Sequence, residues 1–197
     1  MNVIPLFPLN IVLFPGGPLP LRIFETRYLD MVRVCMRNST GFGVALIRSG
    51  SEVGYAETYD VGTTAKIVDF HQLNNGMLGL SCIGEQRFRI HGRRRQSDGL
   101  NIGEVEPLAA EVPTPLPERH MDLAALLQSV LPQLGESYAD MEMHLDDAVW
   151  VGYRLAEILP MAPADKQHCL ELSDPVHRLD VLAPMVRPAE DADGPDA

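Results

Sequence analysis

The chain has 197 residues, with 16 Lys+Arg against 27 Asp+Glu, a formal net charge of −11, and 46% hydrophobic residues. This is the profile of an ordinary globular protein, and its acidity argues against a surface that coats nucleic acid or anionic membrane throughout. Its three cysteines (Cys35, Cys82, Cys169) form no CxxC pair, which excludes a disulfide scaffold and a standard zinc finger and suits a reducing compartment.

Pro5, Pro8, Pro15, Pro18 and Pro20 interrupt the one long apolar stretch near the N-terminus. It falls short of the roughly 20 apolar residues of a membrane span, and it has no charged-then-apolar signal pattern. The expectation is a cytoplasmic protein that does not enter membranes. Short runs rich in Val, Ile, Phe and Tyr predict strands near residues 2–7, 42–48, 61–73, 77–91 and 100–107. Asn74-Asn75-Gly76 between the third and fourth is a hairpin signal, because Asn and Gly tolerate the positive φ such turns need. One helix interrupts them: Tyr28, Met31, Val32, Cys35 and Met36 make a single apolar stripe, ended by Asn38-Ser39-Thr40-Gly41.

The pattern changes at Glu111-Val-Pro-Thr-Pro-Leu-Pro117, where alternate prolines forbid helix and favour a stiff, extended connector. Beyond it the spacing is helical. Leu123, Leu126, Leu127, Val130, Leu131 and Leu134 form one stripe. Leu145, Ala148, Val149, Gly152, Leu155, Ala156 and Leu159 form the next, ended by Pro160. Pro163 suits the first turn of a third helix. Asp174-Pro175 starts a fourth, with Asp174 as N-cap and Val176, Leu179, Leu182 and Ala183 inward. The charge divides at the same place: residues 1–107 hold 11 basic and 10 acidic side chains, residues 108–197 hold 5 and 17. The expected organisation is a β domain over 1–112, a connector over 113–117, a helical bundle over 118–187 and an acidic tail over 188–197 with nothing to bury.

Signals for catalysis are missing. The chain has no GxxxxGK[ST] loop and only two lysines, Lys66 and Lys166. Gly41-Phe-Gly43 lacks the third glycine of a dinucleotide fingerprint, where Leu46 stands. Gly79-Leu-Ser81-Cys-Ile83 lacks the closing glycine of a nucleophile elbow, and Cys82 reads as a buried strand residue. None of the six histidines has metal-ligand spacing. Asp146-Asp147 and Asp140/Glu142 read as an acidic helix face in water. No cofactor and no metal are expected. One arrangement is less bland: in Glu85–Arg95, strand alternation places Arg87, Arg89, His91, Arg93 and Arg95 on one face, with Phe88 and Ile90 on the other. Such a stripe could contact phosphates, and it is equally a solvated face whose arginines pair with carboxylates. No aromatic interleaves with it to stack bases.

Ile4-Pro-Leu-Phe-Pro-Leu-Asn-Ile-Val-Leu-Phe-Pro-Gly16 and Pro20-Leu-Arg-Ile-Phe-Glu-Thr-Arg-Tyr28 resemble the N-terminal substrate-binding domain of Lon proteases, and more closely the stand-alone proteins made of that domain only. The similarity continues through Gly41–Leu46, Val61–Ile67, Arg154–Pro160, Ala164–Gln167 and Leu170–Leu172, spanning roughly residues 3–186. The resemblance implies an α+β fold: a PUA-like β pseudo-barrel with one inserted helix, followed by a C-terminal helical bundle. It also implies a module that recognises polypeptides without ATPase or protease machinery. Unfolded or regulatory polypeptides are the expected partners, with a protease partner and homodimerisation left open. The candidate groove is Phe7, Phe14, Ile23, Phe24 and Tyr28, beside the Pro-Gly-rich loop, with Phe14 expected to be partly exposed. Burial as core and staple residues is the competing reading for most of them. The alternative function is RNA binding by the Arg87–Arg95 strand, against which the net charge of the second half argues.

Overall fold

The computed structural model describes residues 1–52, 54, 56–73, 76–139 and 141–187. The expected hairpin residues Asn74 and Asn75, the carboxylate Asp140 and the acidic tail lie outside them. The described residues form seven strands: β1 Asn2–Leu9, β2 Pro18–Ile23, β3 Phe42–Gly50, β4 Ala56–Thr58, β5 Val61–Gln72, β6 Leu78–Arg95 and β7 Asn101–Pro107. They make one seven-stranded sheet in the order β1-β7-β6-β5-β3-β4, with β2 on β6 and β1 also parallel to β3. That sheet stands where a pseudo-barrel is expected. Two of these strands are not among those the sequence predicts. β4 is only three residues long, and β2 carries Pro18 and Pro20, which speak against a central strand. As β2 pairs only with β6, its prolines sit on an edge strand, where a missing N–H is tolerated.

Helix α1, Thr26–Asn38, packs Tyr28, Met31, Val32 and Cys35 into the same core as Phe7, Ile23, Phe42 and Leu80. Its stripe is one residue shorter than the spacing predicts, because Met36 is exposed. The helix ends with Ser39 in the left-handed region (φ 53°), and Thr40 N–H reaches back to the Cys35 carbonyl at 2.9 Å. The loop after β1 is pinned to the sheet. Gly16 N–H donates to the Gly84 carbonyl at 2.7 Å, Gly84 N–H to the Gly17 carbonyl at 2.9 Å, and Thr63 Oγ1 to the Leu13 carbonyl at 2.6 Å. Position 84 needs glycine for this approach, since a Cβ there would collide with the Phe14 carbonyl.

The remaining helices are α2 Met121–Val130, α3 Glu136–Ala139, α4 Ala148–Ile158, α5 Pro163–Glu171 and α6 Pro175–Val186. Asp147 caps α4 through Val149 N–H (3.0 Å), and Asp174 caps α6 through Val176 N–H (2.9 Å) and His177 N–H (3.1 Å), as its Asp-Pro start predicts. Leu134 is exposed, unlike the rest of its predicted stripe. Pro132 ends α2 in a 3-10 turn (Leu131–Gln133), and the helical register does not continue through it.

Two compact units result: Met1–Ala110 with Met161–Glu171, and Glu111–Pro160 with Leu172–Ala197. Helix α5 therefore groups with the strands, whereas the sequence places all four C-terminal helices in one bundle. Two long-range bonds explain it: Gln167 Nε2 donates to the Val61 carbonyl (3.0 Å), and the Arg87 guanidinium to the Leu170 carbonyl (2.6 Å). In the other unit, α4 and α6 bury Val151, Leu155, Leu179 and Leu182. Arg178 and Glu111 form a bidentate buried pair there, at 2.6 and 3.0 Å, with the guanidinium over the Tyr153 ring at 4.0 Å.

All three cysteines are free thiols and buried. Burial raises the Cys35 thiol pKa and pushes that of Cys82 up to about 12, so neither presents a thiolate at neutral pH. The native protein is accordingly expected to leave its cysteines unlabelled by a thiol reagent at mildly alkaline pH, while urea-unfolded protein takes up three equivalents. Rapid labelling of the native form would contradict this burial.

Candidate functional site

Four of the five predicted groove residues meet in one place. Phe7 from β1, Ile23 from the end of β2, Phe24 from the turn that follows and Tyr28 from α1 line a cavity of about 190 Å³, together with Leu9, Pro20, Leu21, Arg22, Glu25 and Glu52. Its floor is stiff. The Phe7 and Tyr28 rings stack with centroids 4.0 Å apart, and Phe42 lies behind Phe7 at 5.9 Å. The Arg27 guanidinium sits 4.7 Å from the Tyr28 ring centroid, donates to the Gly99 carbonyl at 3.0 Å, and pairs with Glu25 at 2.8 Å. Burial pushes the Tyr28 hydroxyl above its ordinary pKa, with the Arg27 charge opposing, so the ring remains neutral at physiological pH.

Within this frame the residues take different parts. Phe7, Ile23 and Tyr28 are buried and serve as floor, while Phe24 is 63% exposed at the rim. Phe14 departs from expectation: expected to be partly exposed, it is 0% exposed, because the loop carrying it is fastened over the sheet at Gly84. The sequence gives no signal for Arg27. An arginine in the first turn of a helix reads as solvent-facing, and contacts made only in the fold, among them the Gly99 carbonyl 72 residues away and the Glu52 carbonyl, turn it inward.

The basic stripe does not form as alternation predicts. Arg87 is buried with its guanidinium on the Leu170 carbonyl. A register shift between Ile90 and Gly92 breaks the alternation at His91, which contacts Glu106 at 2.8 Å. Arg93 is spent on Asp60 (2.7 Å) and the Tyr59 carbonyl, Arg95 donates to the Gly99 carbonyl, and Arg89 is exposed. Among the described residues no group of His, Cys, Asp and Glu could hold a metal ion, and no helix is long and apolar enough to cross a membrane.

The family model of the ATP-dependent protease La (LON) substrate-binding domain matches residues 3–187. Among solved structures, the chain is similar to a Lon N-terminal domain protein from Xanthomonas campestris, with 38% identity and a TM-score of 0.79 over 93% of this chain and 98% of that one. It is 25% identical to the Lon protease of Cytophaga hutchinsonii over 90% of this chain and 23% of that protein. To protein cereblon of Danio rerio it is 31% identical, over 57% of this chain and 27% of that protein. The chain thus spans about a quarter of the length of these curated relatives.

Proposed function

The chain belongs to the LON substrate-binding domain family, and from that premise we propose that it is a non-catalytic module that binds apolar side chains of unfolded or regulatory polypeptides at the Phe24 niche, in the context of proteolysis. The matched model is that of the substrate-binding domain, which supports recognition rather than cleavage. The same kinship supports reading the strand-rich unit as PUA-like.

The observation that carries the proposal is Phe24, a large aromatic left 63% exposed beside a cavity whose floor is a locked ring stack. A rigid floor loses little conformational entropy on binding, and an exposed ring gains by leaving water. Strand addition is the weaker mode on this side. β2 lines the niche, and its Pro18 and Pro20 have no N–H to offer an incoming chain. The RNA reading is weakened, since Arg87 faces inward, Arg93 is paired with Asp60 and Arg95 is bonded to the Gly99 carbonyl, which leaves Arg89 alone exposed where a continuous basic stripe is needed.

Phe24→Ala is expected to weaken binding of a fluorescent, permanently unfolded casein by about tenfold, with little change on raising salt and none in the circular dichroism spectrum. Casein binding equal to that of the unmutated protein would sink the assignment of the niche.

A further inference from the structure

A second cavity lies in the helical unit, far in sequence from the Phe24 niche. It measures about 690 Å³, within the range of ligand sites. One wall is the extended connector Pro113–Leu116, held by Thr114 N–H on the Asp147 carboxylate (2.9 Å), Leu116 N–H on the Asp146 carbonyl (2.8 Å) and Ala148 N–H on the Thr114 carbonyl (2.8 Å). The other wall is one face of α2: Met121, Ala124, Ala125 and Gln128 follow each other at helical spacing, while Leu123 and Leu127 turn into the core. Two alanines where larger side chains would fill the space keep the groove open. Met121, 62% exposed, stands at its lip.

Charge says what the groove fits. Residues 111–160 and 172–197 contain 4 Lys+Arg against 15 Asp+Glu, a net of −11, so this unit holds the whole net charge of the chain. All four of its cations are already in ion pairs: Arg119 with Asp180, Arg154 with Glu157, Arg178 with Glu111, and Arg187 with Asp122. The described residues of this unit alone hold 4 Lys+Arg against 10 Asp+Glu, so the field outside the groove is negative, and Asp146 on its lining is exposed. We propose that this groove is a second docking surface, for a polypeptide segment that combines apolar side chains with lysines or arginines. The apolar side chains enter between Pro113–Leu116 and α2, and the cations stay outside near Asp146. The surface goes beyond the Phe24 niche and does not depend on it.

The test is a short fluorescein-labelled peptide alternating Leu and Lys, titrated against the full chain beside two controls, Leu/Glu and Gly/Lys. The Leu/Lys peptide is expected to bind, and to bind more weakly as salt rises through the physiological range. Ala125→Trp, which fills the groove from an exposed helical position, is expected to reduce affinity by about tenfold or more. Asp146→Asn should weaken binding a few-fold and steepen no salt dependence. Phe24→Ala should leave this binding unchanged, which separates failure here from failure of the first site. Equal binding of Gly/Lys would reduce the effect to unspecific charge and overturn the proposal. Indifference to Ala125→Trp would do the same, as would dimers of the chain that Ala125→Trp abolishes.

Discussion

Glu111→Ala is expected to lower the unfolding free energy of the helical unit by about 3–5 kcal/mol, the cost of stripping a buried cation of its counter-charge. Arg178 is 0% exposed and Glu111 5% exposed at the level of their side chains, so water cannot take over the lost interactions. The carboxylate receives two guanidinium N–H groups and the Tyr153 hydroxyl, and Arg178 also donates to the Leu172 carbonyl. Removing it therefore disturbs a connected set of bonds spread over three segments, with non-additive consequences. Trp150, the chain's single tryptophan, lies in α4 and reports this unit by its fluorescence in a urea titration. The double replacement Glu111→Leu with Arg178→Met should recover most of the loss, because a well-packed apolar pair no longer carries the desolvation penalty of the ions. A change below about 1 kcal/mol for Glu111→Ala, the scale of a surface pair, would refute this account.

Phe14→Ala is expected to destabilise the strand-rich unit by about 3–5 kcal/mol, the usual cost of deleting a buried aromatic ring and leaving a cavity. Its side chain is wholly out of solvent, and the loop around it is fixed by Gly16, Gly17 and Gly84, so collapse of neighbouring groups into the space is restricted. At temperatures where the variant remains folded, casein binding should be retained. The pair of phenylalanines thus separates two roles that look alike in the sequence: Phe14→Ala moves the denaturant midpoint and spares binding, while Phe24→Ala does the reverse. A Phe14→Ala protein of unaltered stability would mean that the loop does not hold the ring as described.

Much of the fold was legible because local physics decides it. The stripe from Tyr28 to Cys35 requires a helix with that face inward, and Asp174 caps a helix from the position its Asp-Pro start predicts, whereas Asp147, read as part of an acidic helix face, is the N-cap of α4. The strands β1, β3, β5, β6 and β7 announced themselves by β-branched and aromatic content. β2 did not, since an edge strand is defined by which neighbour it has and prolines hide it. The site was half legible for the same reason. That aromatic residues cluster between positions 7 and 28 is visible in the chain, but which ring lies under the surface and which above it is not.

What the sequence determined by itself is the kind of protein this is: a strand-rich half and an acidic helical half, family membership written in the proline spacing of its first block, and helix ends set by caps and prolines. These follow from neighbours in the chain, whose backbone preferences act whatever else forms. Only the tertiary structure decided the placement of α5 with the sheet, the burial of Phe14, the inward turn of Arg27 and Arg87, and the exposure of Phe24. The first three depend on partners tens of residues away. Whether a charge or a ring is buried is settled by the carbonyl or side chain that meets it there, and a one-residue register shift near His91 is enough to undo an alternation that the sequence alone presents as regular.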